Sequence, residues 1–347
     1  KTMTNKKPYF IAEAGLNHNG DVKIAKQLID AAVDAKSDAV KFQKREVNQM
    51  ATKDVLDAPF TNFPSLGKTY REVRENLELT KEEYIELRDY SKEKNIDFIV
   101  TPFDIQSLIF LDDLDLDGIK LAAHSLTDIP LLEEVSKREV PIYFSAGMCT
   151  WDDIERAIKT LDPKGIRTKD SNIALNIFHV VSQYPMDIEF ANLPMITELI
   201  KRYPQYVIGW SDHQNGISLV SSAVALGAQV IEKHYTLDRT MSGFDHAMSL
   251  EPVGLEKAIR DMHTASKAMK YHPKEVLNVE NFCHQAFRRT IVASVKIPKG
   301  TKITREMLTT KAPNRGLSPK YIPDLIGKIA KRNIKEDTHI QFEDIEL

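Results

Sequence analysis

The chain has 347 residues, 42% of them apolar and 28% charged, with a formal net charge of −3. That balance is ordinary for a globular protein with a large core, and the length suits one large domain plus a smaller one. It excludes the strong field or basic run that would draw nucleic acid, and no apolar run is long enough to span a bilayer.

No signal-peptide core precedes the first strand-like run. Cys149 and Cys283 are the two cysteines of the chain. So few, without metal or disulfide spacing, suit a reducing cytoplasm. Met3 reads as the native start, with Lys1 and Thr2 added ahead of it.

Short apolar runs recur through the first 270 or so residues: YFIAEA (9–14), AVKFQ (39–43), DFIVTPF (97–103), GIKLAA (118–123), PIYFSAG (141–147), NIFHVV (176–181), YVIGWSD (206–212) and QVIEKHYT (229–236). Each is strand-length, and most are rich in Val, Ile or aromatic residues, as parallel strands buried on both faces are. Helical spacing fills the gaps, over 22–35, 81–94, 105–112, 128–137, 151–160, 193–203, 217–226 and 252–270. In the first of these, Ile24, Leu28, Ala31, Ala32 and Ala35 share a face. Eight strands alternating with eight helices predict a closed α/β barrel, the (β/α)8 TIM barrel, over 1–271. An open doubly wound sheet is the alternative, but the first strand runs into AGLNHNG, which lacks the GxGxxG of a dinucleotide turn.

Residues 44–80 break the rhythm with Pro59, Pro64, Gly67 and several aromatics, and so long an excursion reads as a lid or substrate loop. After 271 the composition changes. Residues 272–286 read as a linker, and 287–347 as a small module of short β segments separated by turn residues.

In a barrel of this kind the chemistry sits where the strands end. The polar residues at those tips are Glu13, Asn17 and His18; Lys41 and Gln43; Thr101; Lys120; Ser145; Ser182 and Tyr184; Ser211, Asp212 and His213; and Glu232 and His234. Lys41 and Lys120 lie inside apolar runs, where an unpaired ammonium is costly. Either they pair with a core acid such as Glu13 or Glu232, or they face a cavity holding an anion, which the hydroxyls of Ser145, Ser182 and Ser211 would help to bind. His213 and His234 end adjacent strands, with Glu232 and Asp245 nearby. Taken singly, each is an ordinary hydrogen-bonded polar residue. As a pair they suit a divalent cation, Mn2+ or Mg2+, completed by water and substrate. His246, in the loop after the last strand, is a candidate for substrate contact. No base stands beside Cys149.

Taken together, IAEAGLNHNGD, VKFQK, TPFD, FSAGM, SQYP, IGWSDH and IEKHYTLDR resemble the barrel motifs of the sialic acid synthase family, in order and spacing. FDHAMSLEP is similar to its segment after the eighth strand, and RRTIVASVKIPKG onward to its C-terminal antifreeze-like (SAF) β-clip domain. The resemblance covers essentially the whole chain. It implies condensation of phosphoenolpyruvate with an N-acylated amino-sugar aldehyde, giving a nine-carbon sialic-acid-type product and phosphate. It makes Glu13, Lys41 and Lys120 catalytic. It sets Thr101, Ser145, Ser182 and Ser211 around phosphoenolpyruvate, Gln43, Tyr184 and Asp245 near the sugar, and His213 and His234 on the metal. It also implies a domain-swapped homodimer whose small domain caps the partner's barrel.

The chain departs from the family at three places. Ala123, in LysLeuAlaAlaHis (120–124), stands where a serine normally meets phosphate, which leaves His124 or Ser125 to compensate. Ser182 stands where some members carry asparagine. Ala312-Pro313-Asn314 replaces an Arg-Pro-Gly whose arginine reaches the sugar's acyl group, which leaves Lys311 or Arg315 for that contact. GKTYREVREN (67–76) is similar to the animal-type branch, which uses a 6-phosphorylated sugar, and Lys68 and Arg71 are candidates for that phosphate. Acceptors of the legionaminic or pseudaminic type are the alternatives, as are another phosphoenolpyruvate synthase making seven- or eight-carbon keto acids and a non-catalytic sugar-binding barrel.

Overall fold

The computed structural model describes residues 7–346, so Met3 and its neighbours lie outside it. The chain forms two compact units, up to Lys270 and from Tyr271 onward.

The first unit is a closed parallel barrel of eight strands in sequence order. They are β1 (Tyr9–Gly15), β2 (Ala39–Lys44), β3 (Asp97–Pro102), β4 (Gly118–Leu121), β5 (Ile142–Ser145), β6 (Leu175–His179), β7 (Val207–Asp212) and β8 (Val230–His234). The ring closes where β1 pairs with β8, Glu13 lying beside His234. A helix follows each strand, from Val22–Asp34 after β1 to Pro252–Ala268 after β8. Local chemistry marks the helix starts. Asp21 caps the first, and Thr80 with Glu83 and Thr150 with Asp153 form capping boxes on two others.

The two-residue period of the strands sorts side chains into two sets. Phe10, Val40, Phe42, Phe98, Phe144 and Trp210 face the helices and are fully buried there. Ile11, Ala39, Ile99, Phe178 and Val230 fill the barrel interior as an apolar plug. One step further along the same inward rows come Glu13, Lys41, Thr101, Lys120, Ser145, Ser211 and Glu232. The polar layer therefore rests on a dry floor and sits at the C-terminal mouth.

The excursion after β2 folds into three short helices, Val47–Met50, Lys53–Leu56 and Tyr70–Asn76. Its Phe60, Phe63 and Leu66 pack with Leu16, Val73, Leu77 and Phe244, so it is a packed cap on the loops after β1 and β8.

In the second unit, β9 (Thr290–Ala293) pairs antiparallel with β10 (Leu308–Lys311). Isolated bridges such as Ile297–Ile334 and Lys302–Ile329 complete a small β module. Its core includes Ile291, Ile297, Leu308, Leu325, Ile334 and Ile340. The end of the segment read as a linker (272–286) is helical, in Asn281–Phe287, which runs one residue past it, with Phe282 and Phe287 exposed.

Candidate active site

Four charged side chains from β1, β2, β4 and β8 meet at the mouth. Lys41 Nζ lies 2.7 Å from Glu13 Oε2 and 3.7 Å from Glu232 Oε2. Lys120 Nζ lies 3.6 Å from Glu232 Oε1. Hydroxyls and an amide finish the layer: Lys41 donates to Thr101 at 3.1 Å, Lys120 to Ser145 at 2.7 Å, Ser211 to Glu232 at 3.0 Å and Gln43 to Glu13 at 2.6 Å. Register produces this convergence, since Glu13 pairs with Lys41, Gln43 with Thr101 and Ser211 with Glu232.

Of the two readings of the lysines, the ion pairs are formed. The layer is thus charge-balanced rather than simply cationic. Burial works against the charge on Lys41, but Glu13 and Glu232 outweigh it and raise its pKa. Lys120 is the weaker holder of its proton. Burial, with Lys41 adding repulsion, pulls it down to about 8 against the support of Glu232. Glu232 also resists burial, and the two ammoniums hold its carboxyl below the usual carboxylate range.

At the rim, His213 and His234 face one another with ring centroids 5.7 Å apart, and Tyr184 lies 4.1 Å from the His213 ring. His213 Nδ1 is 2.9 Å from the Val181 carbonyl. That contact makes Nδ1 the donor and leaves the Nε2 lone pair available. Burial, then His234, lowers the His213 pKa to about 3, so the ring is neutral. His234 Nδ1 is buried with no hydrogen-bond partner, and Asp245 Oδ2 is 3.7 Å away. Two imidazoles with free nitrogens fit a divalent cation whose other positions go to water or substrate. Among the described residues no group of three or more His, Cys, Asp or Glu encloses a metal ion.

Backbone geometry holds the edges. Gly15 has φ +54°, and a Cβ there would lie 3.1 Å from both Gln43 Nε2 and Glu13 Oε1 and 3.4 Å from Asp245 Oδ2. A Cβ on Gly147 would lie 2.5 Å from Ser182 Oγ, a buried hydroxyl without a partner. Phe244, next to Asp245, is gripped by Phe63 at 4.8 Å and by the Arg74 guanidinium at 4.1 Å, so the excursion steadies the loop that carries Asp245.

Several other candidates have structural duties. His246 is fully buried, with both ring nitrogens in contact with Thr236 and Asn19, which leaves neither free for a substrate. Asn17 donates to the Tyr235 carbonyl and to Ser249. Arg71 pairs with Asp57 at 2.7 Å and donates to Asn48, and Lys68 is exposed. Lys311 pairs with Asp337, and Arg315 is exposed on the second unit.

A match to the NeuB family model covers residues 28–274, and one to the SAF domain covers 288–346. The chain belongs to the NeuB family. N-acetylneuraminate-9-phosphate synthase of Mus musculus is 36% identical over 97% of this chain and 92% of its own length. N,N'-diacetyllegionaminic acid synthase of Campylobacter jejuni is 36% identical over 97% of this chain and 99% of its own. The crystal structure of N-acetylneuraminic acid (sialic acid) synthetase from Leptospira borgpetersenii superposes with a TM-score of 0.68 at 34% identity, covering 80% of this chain and 90% of that one.

As a NeuB barrel, the molecule keeps one charged residue at its centre that the sequence suggested only as an ion-pair partner or a neighbour of the histidine pair. Glu232 touches both lysines and Ser211. The available signal was its place two residues before His234 on an inward row. Arg45 and Arg74 at the mouth of this NeuB chain were also passed over, because one follows a strand and the other sits in a charged helix like any surface residue.

Proposed function

We propose that this chain condenses phosphoenolpyruvate with the open-chain aldehyde of an N-acylated amino sugar, N-acetylmannosamine or a close relative. The products are a sialic-acid-type nonulosonic acid and phosphate. Membership of the NeuB family and relatives that are sialic and legionaminic acid synthases make it an enzyme of this type. The observation that carries the finer reading is the buried Glu13–Lys41–Glu232–Lys120 layer beside the His213–His234 pair.

In this reading Lys41 and Lys120, with Thr101, Ser145, Ser182 and Ser211, take the carboxylate and phosphate of phosphoenolpyruvate. Gln43, Tyr184 and Asp245 hold the sugar so that C3 of phosphoenolpyruvate meets its aldehyde carbon. His213 and His234 would hold a divalent cation, Mn2+ or Mg2+, which when bound would supply Lewis-acid polarisation of the aldehyde. Bond formation leaves positive charge at C2, which the Glu13 and Glu232 carboxylates stabilise. Water adds at C2 with Glu13 accepting a proton that then passes to the alkoxide formed from the aldehyde oxygen. The C2 hydroxyl gives its remaining proton to the phosphate as the C–O bond breaks and the C2 ketone forms. The lysines neutralise the departing charge.

We further propose a domain-swapped homodimer in which Arg315 of the partner subunit contacts the acyl group, and a cytoplasmic location, which the free thiols of Cys149 and Cys283 suit. No helix among the described residues is long and apolar enough to cross a membrane. The test is phosphate release from phosphoenolpyruvate with a panel of N-acylated mannose-type acceptors. Release with none of them, with a divalent cation supplied, would refute the reading.

A further inference from the structure

Once Lys41 and Lys120 face Glu13 and Glu232, the positive charge left without a counterpart at the mouth lies elsewhere. Arg45 follows β2 and is only 8% exposed. Its guanidinium rests 3.6 Å above the Phe103 ring. Its Nη1 is buried without a hydrogen-bond partner, and among the described residues the guanidinium has no salt bridge. Two acids act on its charge: Glu78 binds Lys44 Nζ at 2.8 Å and the Arg45 backbone N–H at 3.2 Å, and Asp245 makes no salt bridge with the Arg45 guanidinium.

Two more nitrogen-bearing groups converge there. Arg74 lies across Phe244 and donates from Nε to the Tyr70 hydroxyl at 3.0 Å, with no acid paired to it among the described residues. His124 stacks on Phe103 at 5.1 Å. Burial, then the charge of Arg74, draws the Arg45 pKa down to about 10. Partial desolvation and the charges of Arg45, Lys120 and Arg74 lower that of His124. A buried guanidinium with idle donors, beside a second one, is costly unless an anion completes it. Two planar forks match the oxygens of a phosphoryl group better than a single carboxylate needs.

We propose that Arg45, Arg74 and His124 form a second anion subsite at the barrel mouth, which takes a phosphoryl group of a substrate. The proposal rests on the reaction above for its two sources: the phosphate of phosphoenolpyruvate, with Arg45 and His124 replacing the serine absent at Ala123, or a phosphate ester on the acceptor sugar.

The deciding experiment is equilibrium binding of inorganic phosphate to the full chain and to the R45M/R74M variant, which needs no turnover. The wild type should hold one phosphate more than the variant, or bind it at least tenfold tighter. Equal number and affinity overturn the subsite, whatever reaction the chain performs. Arg74→Met, at a half-exposed position, serves alone if the double variant does not fold. Steady-state kinetics then assign the source. A tenfold rise in KM for phosphoenolpyruvate assigns its phosphate. A tenfold rise confined to a 6-phosphorylated acceptor, with the unphosphorylated one unmoved, assigns the sugar ester.

Discussion

Lys120 and Glu232 face each other inside the barrel at 3.6 Å, their side chains 4% and 5% exposed. Glu232 also reaches Lys41 at 3.7 Å, so one carboxylate from β8 touches two ammoniums, from β2 and β4, strands that β3 separates in the ring. The proton on Lys120 is the most loosely held of this set, and that makes the pair testable by pH.

Lys120 is charged below its lowered value of about 8 and neutral above it. An anionic substrate meeting free enzyme needs the charged form. The kcat/KM for phosphoenolpyruvate should therefore fall about tenfold per pH unit above about 8, since that ratio reports free-enzyme ionisations. Lys120→Arg, which keeps its charge, should move the fall to higher pH even if the plateau is lower. A profile flat to pH 10 would remove Lys120 from anion capture.

Glu232→Gln keeps the shape and removes the charge. Breaking a buried ion pair from one side leaves ammoniums unbalanced, at a cost of about 3 kcal/mol in urea unfolding. The Glu232 charge supports the proton on Lys120, so without it the alkaline fall should begin at lower pH than in the wild type. An unshifted fall would show that the two groups are not coupled.

His234→Ala should lower the divalent metal retained after dialysis, read by elemental analysis. Phosphate release should drop by at least about 100-fold, the scale of about 3 kcal/mol of Lewis-acid stabilisation. Full turnover by metal-free variant would take the cation out of the reaction.

Gly15→Ala places a side chain at φ +54° against Gln43 and Glu13. Left-handed backbone costs a non-glycine residue roughly 1–2 kcal/mol, which should appear as a lower melting temperature. The new methyl crowds Gln43 Nε2 at 3.1 Å, a group placed at the sugar, so KM for the sugar should rise more than KM for phosphoenolpyruvate. Equal kinetics with wild type would separate Gly15 from the acceptor pocket.

Much of this molecule was readable along the chain. The runs at 9–14 and 39–43 announce buried parallel strands because both faces of each are apolar, and the two-residue period then places Glu13 in line with Ile11 and Lys41 in line with Ala39. The helical spacing read over 22–35 and 81–94 likewise matches Val22–Asp34 and Lys81–Glu93. These are local properties, set by residues within a turn or two of each other.

Pairing across the barrel was not local. Sequence allowed Lys41 and Lys120 either an acid or an open cavity, and the choice depended on where a residue nearly two hundred positions on from Lys41 came to rest. His246 and Arg71 looked available until the fold supplied Thr236 and Asn19 to one and Asp57 to the other. Arg45 looked like a surface charge until packing on Phe103 buried it. Periodicity and capping determine which way a side chain points from its own backbone. Which partner it meets, and so its charge balance, is decided only when distant segments close into one ring, because electrostatic energy depends on distance through space and not along the chain.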